Sequence, residues 1–400
     1  MALGCDEHYL SLASVLVAFM KQTLVLAVLL CLGTTPCLAD TSYIKRVTDT
    51  LSSAAFSGRG YVNNGMQRAA DFIGSEMMAI GLHVQRQPFS YPVNRFPKKM
   101  ALTIGGKELV PGVDFLVDPN SRSCHAAGKL EVLDSIHYIN KAQRVLVRLV
   151  HDKLTWSVAA TQGDLTLFQV KASSVTNVNA FSARVDAEAV PNFTAYNVMG
   201  FLPGSAHSDS LLVFTAHYDH LGMMGQNTMF AGANDNASGV GLMLSMARHY
   251  AAHPAKYNIL FIAFAGEEAG LIGSKYFVDH PLVPLQNIRF LINLDLMGNG
   301  DEGITVVNAT EYTAAFAHLQ QINQQHQWLA AVNGRGKAQN SDHYWFSEHG
   351  VPAFFIYTLG KRKSYHDVYD LSETLLWPEG EDLESLLLAF ADRLMQGCCW

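Results

Sequence analysis

Residues 258–268 read Asn258-Ile-Leu-Phe-Ile-Ala-Phe264-Ala-Gly266-Glu267-Glu268. The apolar run is too short for a helix and closes on a glycine, which suits a strand buried on both faces of a sheet. Two glutamates follow it directly. The same pattern recurs on either side. The apolar run 211–215 leads into His217-Tyr-Asp219-His220, Ile288–Leu294 leads into Asp295, and 353–357 leads by a short loop into Tyr365-His366-Asp367-Val-Tyr-Asp370. Segments with helical character at 238–250, 270–278, 313–327 and 382–395 separate or follow these strands. Strands and helices in alternation predict an α/β fold, with a mixed sheet sandwiched by helices.

A fifth polar stretch, Gly232-Ala-Asn-Asp235-Asn-Ala-Ser238-Gly239, opens the helix at 238–250. In an open α/β sheet, ligands gather at the carboxyl ends of the strands. Four strand ends therefore deliver acidic or imidazole groups to one edge. Such a set of carboxylates repels itself unless cations lie within it. Taken singly, each motif has an ordinary explanation. An Asp after a strand is usually a turn residue or a helix cap. Acidic residues at a helix start are expected from the helix dipole. Together the stretches supply two imidazoles, two aspartates and a glutamate as ligands, with one glutamate to spare. Two zinc ions and a general base need about that set.

The set resembles the co-catalytic zinc exopeptidases of the aminopeptidase-S and folate-hydrolase-like group. The resemblance covers about residues 192–373. It extends more weakly to residues 57–82, where Ser57-Gly-Arg59 precedes an alanine-rich helix. It implies the phosphorylase/hydrolase-like fold of zinc exopeptidases and two Zn2+ ions. It implies that His217 binds one zinc, with the Asp219 carboxylate fixing its ring from the far nitrogen. Asp235 would bridge both ions, Glu268 would bind one of them, and Asp295 and His366 would complete the two sites. Glu267 would be the general base, and Tyr365 would help to stabilise the oxyanion. The family loop has two aspartates where this chain has Asn234-Asp235. The ligand is the residue three before Ser238, so the departure falls on the non-ligand position.

The remaining features frame this site. The chain has 400 residues, 49% of them hydrophobic and 16% charged, enough for one large domain with an insertion. A net charge of -7 argues against nucleic acid as a partner. Residues 1–39 are expected to be an export signal. Lys21 follows Met20, residues 23–32 are almost wholly apolar, and Cys37-Leu38-Ala39 offers a cleavage site, with Met20 as the expected start. The alternative is an uncleaved anchor over about 10–32, which Lys21 and Gln22 interrupt. Residues 40–88 are expected to form the N-terminal part of the catalytic domain and 191–400 its main part. Residues 89–190 are expected to form a mainly β insertion, with strands near 100–104, 129–133, 145–150 and 165–170. Cys124 could pair with one of Cys398 and Cys399. Gly222, Gly225 and Gly232 serve loop geometry, since no phosphate-loop Lys-Ser or Lys-Thr follows. His220 is not expected to be a ligand. Asp342-His343 either orients a ligand, touches substrate or is structural. Lys361-Arg362-Lys363 is a solvated loop or a contact for a substrate carboxylate. Of the Asn-X-Ser/Thr sequons at Asn192, Asn236 and Asn308, the second adjoins Asp235 and is a poor glycan site.

The expectation is an exported enzyme, periplasmic or extracellular, that hydrolyses peptides. An aminopeptidase is favoured. The same ligands would serve a glutamate carboxypeptidase, or a glutaminyl cyclase with a single zinc. A receptor-like ectodomain that has lost its metals is the non-enzyme alternative. Membrane contact is expected only through an uncleaved signal, and the oligomeric state is open.

Overall fold

The computed structural model describes residues 41–397 apart from Pro378. The expected export signal therefore lies outside the described residues, as do Cys398 and Cys399. Among the described residues, no helix is long and apolar enough to cross a membrane. Cys124 is buried and has no disulfide partner among the described residues.

An eight-stranded mixed sheet organises the chain. Its strands, numbered within this sheet, are β1 (His83–Arg95), β2 (Glu188–Leu202), β3 (Leu211–His217), β4 (Asn258–Phe264), β5 (Ile288–Leu294), β6 (Ile304–Val307), β7 (Val332–Gly334) and β8 (Ala353–Thr358). They lie in the order β1-β2-β4-β3-β5-β8-β6-β7. The central four, β4, β3, β5 and β8, run parallel, so their carboxyl ends share one edge. The expected α/β architecture is present.

Alternating residues of each central strand feed two different cores. Leu212, Phe214 and Ala216 of β3 face the larger one. It also takes in α1 (Thr41–Leu51), α2 (Gly65–Ile80), α3 (Gly239–Ala252), α5 (Thr313–His326) and α7 (Gly380–Met395). Leu211 and Val213 face the opposite core, where Phe277 of α4 (Ile272–Asp279) meets Phe346 of α6 (His343–Glu348). Each fully buried Phe or Leu contributes about 1.5–3 kcal/mol. Layers on both faces thus hold the strand ends in fixed register.

Between β1 and β2 the chain builds two smaller sheets. One has four strands, Lys107–Leu109, Ala101–Ile104, Ala180–Val185 and Cys124–Lys129. The other has five, Phe115–Val117, Thr166–Lys171, Val145–Val150, His137–Asn140 and Glu131–Val132. Their core includes Phe115, Trp156 and Phe168, together with Leu221, Met224 and Phe230. The last three come from the segment directly after His220, whose hairpin pairs Gly222–Met224 with Thr228–Phe230. The β module therefore packs on a loop of the polar cluster. Of the three sequons, Asn236 and Asn308 are buried and Asn192 is exposed.

Candidate metal centre

The parallel strand ends bring the expected residues into one cavity of about 200 Å³. Its lining includes His217, Asp235, Glu267, Glu268, Asp295, Tyr365 and His366. His217 closes β3, the two glutamates follow β4, and Asp295 follows β5. Asp235 lies in the turn that enters α3.

Two histidines flank Asp235. His217 Nε2 is 3.4 Å from Asp235 Oδ1 and 3.3 Å from Asp295 Oδ1. His366 Nε2 is 3.2 Å from Asp235 Oδ2 and 3.0 Å from Glu268 Oε2. The two oxygens of Asp235 thus face opposite imidazoles. Each imidazole turns its other nitrogen to a backbone carbonyl. His217 Nδ1 donates to Asp219 O at 3.1 Å, and His366 Nδ1 donates to Trp156 O at 3.1 Å. A carbonyl only accepts, so the proton sits on Nδ1 and each Nε2 is free to ligate.

The histidine–carboxylate spacings suit zinc. Two donors about 2.0–2.1 Å from a tetrahedral zinc stand about 3.3 Å apart. The four nitrogen–oxygen spacings fall close to that value. Asp295 Oδ1 is buried without a hydrogen-bond donor, which suits an oxygen reserved for a cation. The charges point the same way. Burial lowers the His366 imidazole, but Glu268 and Asp235 outweigh it and push the ring up to about 11. Burial and Asp235 raise the Glu268 carboxyl, yet His366 and His220 bring it down to about 2. Burial holds Glu267 well above the usual carboxylate range, against the pull of His217. The carboxylates therefore attract cationic partners, and a metal replaces the imidazole protons when it binds.

One expected detail differs. Asp219 was expected to orient His217 through its carboxylate, but that carboxylate lies 3.8 Å from Nδ1. It accepts the backbone N–H groups of Glu267 and Glu268 instead, at 3.2 and 3.3 Å. Its backbone carbonyl orients the imidazole. Burial pushes this carboxyl up to about 7, with Glu268 adding to the rise and His217 opposing it. Asp219 thus ties the histidine strand to the glutamate pair.

Residues not expected to be ligands complete the cluster. His220 is buried, and its Nδ1 lies 2.7 Å from Glu268 Oε1, the oxygen turned away from His366. Asp370 accepts N–H groups from Asn234 at 2.9 Å and Asp235 at 3.0 Å, which fixes the bridging loop. Thr215 donates to Asn293 at 2.6 Å, Asn293 to Ser341 at 2.8 Å, and Ser341 to Asp295 Oδ2 at 3.1 Å. Ser341 is the member of the Ser341-Asp-His segment that reaches a candidate ligand. Asp342 and His343 are buried behind it and do not line the cavity. Burial pushes the Asp342 carboxyl up to about 7. None of Lys361, Arg362 and Lys363 lines the cavity.

Arg59 is the largest contribution from outside the motifs. It is fully buried. Its guanidinium donates to Tyr218 O, Leu51 O, Ala231 O, Gly232 O and Asp235 O at 2.7–3.1 Å. One side chain therefore pins both ligand loops. The backbone around it allows close approach: a Cβ on Gly60 would lie 2.5 Å from the Cα of Gly222. Gly232 has φ +59°, and a Cβ there would meet Asp235 O at 2.2 Å. That is the loop-geometry role expected of this glycine. From sequence, only the run Ser57-Gly-Arg59 hinted at this anchor.

A mixed sheet carrying paired histidines, carboxylates and an adjacent glutamate is the arrangement of a metallopeptidase-type centre. Residues 197–391 match the model of Peptidase family M28. Aminopeptidase YwaD of Bacillus subtilis is 37% identical over 122 residues, which are 30% of this chain and 26% of that protein. The chain thus spans about a quarter of this curated relative's length. Among solved structures, a zinc aminopeptidase from Bacillus subtilis has a TM-score of 0.67 at 19% identity, covering 89% of this chain and 94% of that one. An Acidobacteriales bacterium glutaminyl cyclase has a TM-score of 0.57 at 16% identity, covering 91% and 97%. At these identities the likeness shows the fold alone, and the fold is common to both activities.

Proposed function

We propose that this protein is an exported di-zinc exopeptidase that removes the N-terminal residue of peptides. His217, Asp235 and Asp295 would hold one ion, and Asp235, Glu268 and His366 the other. When bound, the ions polarise the scissile carbonyl and make a water acidic enough to attack near neutral pH. Beside these positive ions, which would offset the burial that raises it, Glu267 would stay ionised, so its carboxylate would accept that water's proton and pass it to the leaving amine. Tyr365 lies beside this group with its ring stacked on His366, centroids 3.9 Å apart. Burial, reinforced by Asp235 and Glu268, keeps its hydroxyl protonated, so it can donate to the oxyanion.

The observation that carries the aminopeptidase reading is the lack of a cationic anchor: among the described residues, no lysine or arginine lines the cavity. A glutamate carboxypeptidase needs cations for its substrate's carboxylates. Leu296, Phe355 and Tyr357 form the apolar wall, which favours an apolar or aromatic first side chain. Export rests on the sequence pattern of residues 20–39 alone.

Aminoacyl chromogenic substrates and their N-acetyl counterparts test the reading. The free-amine forms should be cleaved and the acetylated forms spared. Two zinc ions per chain should be found, and a chelator should abolish activity until zinc is restored. Preferential cleavage of N-acyl dipeptides ending in glutamate would show a carboxypeptidase. Cyclisation of N-terminal glutamine with one bound zinc would show a glutaminyl cyclase.

A further inference from the structure

His366 is the candidate ligand that the sheet does not position. The others lie at the end of a strand, within a few residues of one, or at the entry to α3. His366 comes eight residues after Thr358, the end of β8, in a segment without regular structure. Its φ is +53°, a left-handed conformation that L residues other than glycine avoid. Something outside the sheet must hold it there.

The β module supplies that restraint. Trp156 N donates to His366 O at 2.9 Å, and Trp156 O accepts from His366 Nδ1 at 3.1 Å. One residue of the module thus brackets both the backbone and the ring of the ligand. Lys153 grips the same segment from both sides. Its Nζ donates to Lys363 O at 2.9 Å and Tyr365 O at 2.8 Å, and lies 2.5 Å from Asp367 Oδ2. Asp367 in turn accepts the N–H of Tyr369 at 2.8 Å. Trp156 is itself immobilised. Its indole donates to Val117 O at 2.7 Å and stacks on Phe230 with centroids 4.7 Å apart.

We infer that the β module is a working part of the metal centre: through Lys153 and Trp156 it holds His366 in the tautomer and orientation that ligation requires. Lys153 is a positioning residue that acts through Tyr365, His366 and Asp367. Partners that orient a ligating histidine typically set metal affinity within a factor of about 10–100. This inference rests on the reading of His366 as a zinc ligand, and its test separates the two.

The experiment uses the full chain and zinc alone, titrated against a competing chelator, with Lys153→Met, Lys153→Arg and His366→Ala beside the parent. Lys153 is partly exposed, so its loss removes little packing. In Lys153→Met, one zinc should bind about 10–100-fold more weakly while the other keeps its affinity. The metal-free form should melt somewhat lower, because Asp367 is left buried without its cation, and kcat should fall at subsaturating zinc. Lys153→Arg, which can still donate to the carbonyls and to Asp367, should recover part of the affinity. A Lys153→Met protein that binds both ions as the parent does, while His366→Ala loses one, overturns the positioning role and leaves the ligand assignment standing. A lowered metal-free midpoint with zinc affinities intact also overturns it, because Lys153 is then merely structural. If His366→Ala binds zinc like the parent, both readings fall.

Discussion

Glu267→Gln should leave zinc bound and cut kcat by about 10²–10⁴-fold, the usual contribution of a positioned general base. Glutamine keeps the size and much of the hydrogen bonding of the side chain but cannot accept a proton. Glu268, next in sequence, points at His366 and His220, so the two glutamates have separate tasks. Glu267 lines the cavity without facing either histidine at ligand distance, so its replacement should spare metal content. Turnover on a free-amine substrate and zinc analysis of the same sample check this. Undiminished kcat would remove Glu267 from the mechanism. Loss of zinc together with activity would make it a ligand instead.

Arg59→Met should be the most damaging change outside the ligands. Methionine fills much of the same space but leaves five buried carbonyls without their donor. Each abandoned group costs about 1–3 kcal/mol, partly relieved by relaxation, so a net loss of about 3–5 kcal/mol is expected. Burial lowers the guanidinium to about 10, so the charge persists at neutral pH, held by Asp235 and Asp370. Arg59→Lys should rescue little, since a compact ammonium cannot serve five acceptors spread over a planar fork. Urea denaturation of the metal-free protein measures the loss, and chelator competition should show weakened zinc binding as the Asp235 loop loosens. Parent-like stability and affinity in Arg59→Met would refute the anchoring role.

Much of the fold could be read in advance because its central strands are buried on both faces. Asn258–Phe264 and Ile288–Leu294 are unbroken apolar runs, and the structure keeps those limits. The two long strands at the sheet margin were harder to see. β1 contains Pro88 and Pro92, residues that argue against a strand. It tolerates them because it is the edge strand and its register shifts between Tyr91 and Val93, where Pro92 sits. Both β1 and β2 run beyond the change in composition near residues 89 and 190, so the chain outside the large sheet is residues 96–187. The two small sheets within it had visible strands, but no residue pattern disclosed that they reach the metal centre.

The sequence by itself determined the donor types and their delivery to one edge, because a side chain that follows a buried parallel strand must emerge at its carboxyl end. Only the tertiary structure decided how those donors are held. Arg59 meets loops about 160–176 residues away, and Trp156 meets His366 across 210. It also turned the Asp219 carboxylate from His217 to the glutamate amides and drew His220 onto Glu268. Hydrogen bonds to backbone carbonyls and amides put little constraint on residue type at the partner position. They leave no signature in the order of the chain and become visible only when distant segments meet.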